Sequence, residues 1–91
     1  MLNHRLIIIT YNDDNDKYYQ NFVRSFNDNF DQLKDRFVIV KFIRNRNASF
    51  KFELFNFDNK KHLDQDYFLS FVTIFGFIDK MPSKRQLYDQ K

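Results

Sequence analysis

Cysteine is absent from the 91 residues. Its absence excludes a disulfide scaffold, a zinc ribbon, a thiol nucleophile and dithiol redox chemistry, and leaves the compartment open. Glycine occurs once, at Gly76, which argues against a glycine-rich phosphate loop of either common kind. Proline also occurs once, at Pro82. The two histidines, His4 and His62, are far apart and neither has a partner four residues away, so no histidine metal motif is present. The longest apolar-rich stretch, Tyr67 to Ile78, is broken by Ser70, Thr73 and Gly76 and is well short of the ~20 residues that span a bilayer. Leu6 to Ile9 is too short for the apolar region of a leader peptide. The expected home is cytoplasmic if Met1 is the native start and extracytoplasmic if a leader was removed.

Aromatic residues are abundant. Thirteen Phe and five Tyr make 20% of the chain. Each buried ring removes ~150–250 Å² from water, so a domain this small can hold together without metal or disulfide. The net charge of +3 is mildly basic and permits an acidic partner without requiring one.

The segment "RLIIITY" (5–11) is a continuous apolar run and reads as a strand buried on both faces. The turn-forming cluster "NDDND" (12–16) follows it. Tyr19, Phe22, Val23, Phe26, Phe30 and Leu33 then recur at steps of three and four, one face of a helix that Asp14 or Asp16 can cap. "RFVIVKFI" (36–43) reads as a second buried strand, parallel to the first. "FKFELFNF" (50–57) begins in alternation and reads as a half-buried third strand. Asp58-Asn59 suits a hairpin turn, with a short fourth strand at 60–63. A last helix is expected over about 65–80, capped by Asp64 or Asp66 and ended by Pro82. The expected fold is α/β, in the order β-α-β-β-β-α, with a mixed sheet of about four strands and two helices. Residues 3–86 form the single domain and 87–91 a tail.

Three stretches resemble one branch of the thioredoxin-like fold: "NHRLIIITYNDDND" (3–16), "FELFNFDNKKHL" (52–63) and "FIDKMPSKRQ" (77–86). In the last, Ile78, Asp79, Met81, Pro82, Arg85 and Gln86 carry the pattern Ile-Asp-x-Met-Pro followed by basic residues and Gln. The chain is similar here to the peroxiredoxin-related domain of unknown function called P-DUDES, found in many bacterial proteins and in vertebrate matrix-associated proteins, including sushi-repeat ones. The resemblance implies a reduced thioredoxin-like fold, no established activity and, from its relatives, an extracytoplasmic or adhesive setting.

Thioredoxin relatives keep reactive cysteines in the loop after the first strand. Here that loop holds Asp13, Asp14 and Asp16. Three carboxylates can hold a hard cation, but the loop lacks the glycine and distant Glu of a calcium loop, and helix capping with solvation is the better reading. His62, Asp58 and Ser70 could form a catalytic triad only if the fold gathered them. Lys80, Lys84, Arg85, Lys91, Arg44 and Arg46 could bind an anion or nucleic acid, yet the glycine-and-aromatic signature of RNA-binding strands is missing and solvated charge is the better reading. Asp79 is expected to pair with Arg5 or Arg85 and fix the end of the last helix. The leading expectation is a non-enzymatic interaction domain with no cofactor. Its expected partner is a protein, a second copy included, docked through Tyr67, Phe71, Ile74 and Phe75 of the apolar last helix. The alternatives are a degenerate enzyme or metal-binding relative using the acidic loop, and a nucleic-acid module.

Overall fold

The computed structural model describes residues 1–89. Strands β1 (Arg5–Tyr11), β2 (Val38–Arg44), β3 (Lys51–Phe55) and β4 (Lys61–Gln65) form one mixed sheet in the order β2-β1-β3-β4. β2 is parallel to β1, and β3 is antiparallel to both β1 and β4. The helices are α1 (Lys17–Phe26), α2 (Phe30–Asp35), α3 (Phe71–Ile78) and α4 (Lys84–Asp89). The α/β class and the four-stranded mixed sheet agree with the sequence. The helical complement is larger than the expected two.

The strand register sorts the sheet into two unlike faces. Ile7 pairs with Val40 and Leu54, and Ile9 with Phe42 and Phe52, so these side chains share one face. Arg5, Ile7, Ile9, Tyr11, Val38, Phe52 and Leu54 are all buried on it. The opposite face carries Leu6, Ile8, Thr10, Ile39, Ile43, Glu53 and Phe55, and none of these is fully buried. The helices therefore lie on the first face. β1 is covered on one side only, not on both as its apolar run suggested. β2 departs further from expectation. It is an edge strand, and Ile39, Phe42 and Ile43 remain 44%, 38% and 45% exposed.

Phe22 sits at the centre of the core with no exposed surface. Its ring lies 5.0 Å from Phe71 of α3, 6.4 Å from Phe52 of β3 and 5.9 Å from Phe42 of β2. One side chain thus joins α1, α3 and the sheet. Asp16 caps α1, accepting from the Tyr19 amide at 3.0 Å. The expected single helix from Asp16 to Leu33 is broken by one 3-10 turn, Asn27–Asn29, whose residues compete for backbone groups and weaken a helix. The break turns the helical face. Leu33 remains buried, while Val23 and Phe30 are 39% and 47% exposed.

The last helix is half its expected length. Asp64 lies within β4, where Lys61 bonds it, and is not a cap. Ser70 is the cap, accepting from the Thr73 amide at 3.3 Å. Phe71, Ile74, Phe75 and Ile78 then make one buried stripe at helical spacing, while Val72 is 84% exposed. Beyond Pro82 the chain forms α4, across the expected boundary at residue 86. Its start is a reciprocal cap: the Gln86 amide donates to Ser83 Oγ, and the Ser83 amide to Gln86 Oε1. Lys91 and the end of the expected tail lie outside the described residues.

Phe22→Ala is expected to cost about 3–5 kcal/mol in chemical denaturation, because it opens a cavity between three elements. Phe30→Ala, at the exposed end of the same helical run, should cost below about 1 kcal/mol.

Candidate functional site

The chain closes on itself around one guanidinium. Arg5 begins β1, on the helix-covered face, and is 8% exposed. Its Nε donates to Asn56 Oδ1 at 2.9 Å, Nη1 to the Arg36 carbonyl at 3.1 Å and Nη2 to the Pro82 carbonyl at 3.4 Å. Asn56, fully buried, also donates from Nδ2 to the Pro82 carbonyl at 2.9 Å. The guanidinium stacks 4.7 Å above the Phe57 ring. Burial pulls its pKa below the usual value, Asp79 opposes that, and Arg36 adds to it.

Asp79 pairs with neither Arg5 nor Arg85. Its carboxylate takes a two-pronged bond from Arg36, Nε at 2.8 Å and Nη2 at 3.0 Å. Arg36 reaches it because α2 ends beside α3, where the same guanidinium lies 4.3 Å above Phe75. The Arg36 hydrogen bond is the largest cause holding the Asp79 carboxyl below the usual range. The other motif residues also have structural roles. Ile78 and Met81 are core, Pro82 supplies the carbonyl shared by Arg5 and Asn56, and Gln86 caps α4. Arg85 is exposed at the rim, 4.0 Å from Asp89.

Between Arg5 and α4 lies a cavity of about 480 Å³. Phe37 and Phe57 supply its apolar wall, and Arg5, Arg36, Lys84 and Arg85 its cationic one. Among the described residues, Asp35 is the one carboxylate on it. Phe37 is unusual twice over. It is 63% exposed, and its φ of 57° is left-handed. It follows the C-terminus of α2, where glycine is the common residue, and the conformation costs a bulky side chain about 1–2 kcal/mol. Its amide donates to the Lys34 carbonyl, and its carbonyl accepts from the Arg5 amide at 2.7 Å. No signal in the sequence marks Phe37. Arg5 is visible only as the Arg before an apolar strand.

The expected docking set is not a surface. Phe71, Ile74 and Phe75 are 5%, 0% and 7% exposed and belong to the core, because α3 turns its stripe onto the sheet. Tyr67 precedes the helix and is 44% exposed. The acidic loop does not gather its carboxylates either. Asp16 caps α1, Asp13 accepts from the Asn15 amide at 2.7 Å, and no cluster able to hold a metal forms among the described residues. His62 Nε2 lies 3.7 Å from Asp58 Oδ1, at an irregularity between β3 and β4. Ser70 is engaged elsewhere, with Thr73 at the start of α3, so the three do not form a triad. No helix among the described residues is long and apolar enough to cross a membrane.

Comparison with known proteins gives no match: no family model, curated protein or solved structure matches the chain.

Asp79→Asn removes one partner of a bidentate pair that is about half exposed on the carboxylate side. It should cost about 0.5–1 kcal/mol at neutral pH. The Asp79 pKa is lower in the folded chain, so its stabilisation is full above the unfolded value of about 4 and is lost as pH falls through the folded value. Melting curves of parent and variant should converge below about pH 4.

Proposed function

We propose that the chain is a non-enzymatic interaction module of the thioredoxin-like class, akin to the peroxiredoxin-related domain, and that it pairs with a second copy of itself through β2. The strand-helix-strand unit, the hairpin and the closing helix, all in one mixed sheet, support the class. The loop over residues 11–16 offers no nucleophile for thiol chemistry.

The observation that carries the interaction is the edge. β2 is seven residues long, pairs on one side only and exposes Ile39, Phe42 and Ile43. Such an edge has free backbone donors and acceptors and is a template for another strand. Val23 and Phe30 add exposed apolar surface on the helical layer.

A second copy fits this edge by register. A two-fold axis perpendicular to the sheet and passing through Val40 sets Val38 opposite Phe42 and Ile39 opposite Lys41. Within the segment Val38–Phe42 that pairs in this arrangement, no like charges face each other directly. An axis through Lys41 would oppose two ammonium groups, which is destabilising. The pairing would extend four strands to eight, with the helices of both copies on one side.

Sedimentation velocity from about 10 μM to about 1 mM should show a monomer–dimer equilibrium. Ile39→Lys with Ile43→Lys should shift it to monomer with little loss of stability, since both residues are exposed. Added salt should strengthen the dimer, because each copy carries +3. A monomer throughout the series would refute self-pairing. Association unchanged by the double variant would refute the β2 edge as its site.

A further inference from the structure

We propose that the cavity between Arg5 and α4 is a binding site for a small aromatic anion, a phosphate or carboxylate carried on a ring. The Arg5 side chain has five N–H donors. Three are used, all on uncharged acceptors: the Asn56 side chain and the Arg36 and Pro82 carbonyls. No carboxylate oxygen bonds Arg5 among the described residues, and the nearby Asp79 is held in both prongs of Arg36. Asp79 offsets the buried charge through space without bonding it, so the compensation is partial. An anion in the cavity would add to it.

The rim points the same way. Lys84 Nζ is held at 2.9 Å by the Asn3 side-chain oxygen, a neutral acceptor, and so lies at the mouth with its charge uncompensated. Arg85 stands beside it, 91% exposed, with only a 4.0 Å approach to Asp89. Asp35 is the one opposing charge among the described residues on the lining. A guanidinium fork matches the oxygens of phosphate or carboxylate, and a lysine adds a movable point charge.

Phe37 selects the ring. Its backbone is held in a conformation that disfavours a bulky side chain, yet the side chain is not used in the core. It lies with Phe57 on the cavity wall, their centroids 6.5 Å apart at 58°. The helix ending accounts for the backbone conformation, where glycine would fit more easily, but not for an exposed aromatic side chain on the cavity wall. A ring seated against Phe37 would place its anionic substituent towards Arg5 and Lys84. The cavity volume is within the range of small-molecule sites.

The test is titration of the ¹⁵N-labelled chain with phenyl phosphate and with benzoate. Inorganic phosphate, phenol and sodium chloride at matched ionic strength are the controls. Phenyl phosphate or benzoate should shift the Phe37, Ser83 and Lys84 amides saturably, and the tighter of the two identifies the anionic group. Phosphate and phenol alone should bind at least about tenfold more weakly. Lys84→Glu with Arg85→Glu, both exposed in the parent, should weaken binding by about tenfold or more. Phe37→Gly should weaken binding while leaving the melting temperature equal or higher, because it relieves the left-handed strain. That separation tells a ligand contact from a structural ring. Shifts no larger than those from sodium chloride, or rim variants that bind like the parent, would overturn the site. Equal binding of inorganic phosphate and phenyl phosphate would overturn the role of the ring.

Discussion

The short connection over residues 45–50 is the constraint from which the rest of the architecture follows. It carries the chain from β2 past β1 to β3 without room for a helix. The buried side chains of α1, α2 and α3 join the core on the face that holds Ile7, Ile9, Phe52 and Leu54. The other face keeps Leu6, Ile8, Ile39 and Phe55 only partly covered or exposed, and β2 is left at an open margin. A chain this small cannot cover both faces of a four-stranded sheet, so its core depends on large side chains. Phe22 touches α3 and two strands of the sheet because few residues are available to do so. The same economy leaves apolar surface at the edge, which a second strand can cover.

Arg5 closes the opposite need, that of joining the two ends of the chain. The first strand, the turn after β3 and the segment after α3 all place polar backbone or amide groups at one point. The guanidinium satisfies the Asn56 side chain and the Arg36 and Pro82 carbonyls together. An apolar residue there would take the donor from the Asn56 side-chain oxygen and the Arg36 carbonyl and leave the Pro82 carbonyl to Asn56 alone, a cost that helps explain why a charge is tolerated in so small a core. Phe37 belongs to the same closure through its carbonyl. Its strain is the consequence of ending α2 within hydrogen-bonding reach of Arg5.

Much of this was legible in the residues. The apolar run at 5–11, the helical spacing from Tyr19 to Leu33, the alternation after Phe50 and the Asp58-Asn59 turn all report local geometry. The structure has a strand at 5–11, helix on both sides of a 3-10 turn at 27–29, a strand at 51–55 and a turn where Asn59 takes a φ of 63°. Edge position is different. Val38 to Arg44 has the composition of a central strand, and only the sheet order, a non-local property, puts it at the margin. The closing helix was overextended because Tyr67, Phe68 and Leu69 are apolar without being helical. Ser70, whose side chain accepts from the Thr73 amide, is the N-cap that sets where the helix begins. The spacing of Ser83 and Gln86 signalled α4 and was equally local. The Arg36–Asp79 pair spans 43 positions, and the cavity joins the first strand to the last helix, so neither leaves a trace in any short stretch.

Amide hydrogen exchange read residue by residue along β2, at low and at high protein concentration, tests the open edge most directly. In a strand, alternate amides point to opposite sides, so half of those in Val38–Arg44 face away from β1. The account predicts that these outward amides exchange freely in dilute solution and become protected as concentration rises, while those bonded to β1 stay protected throughout. Outward amides that exchange at the same rate at every concentration would contradict it.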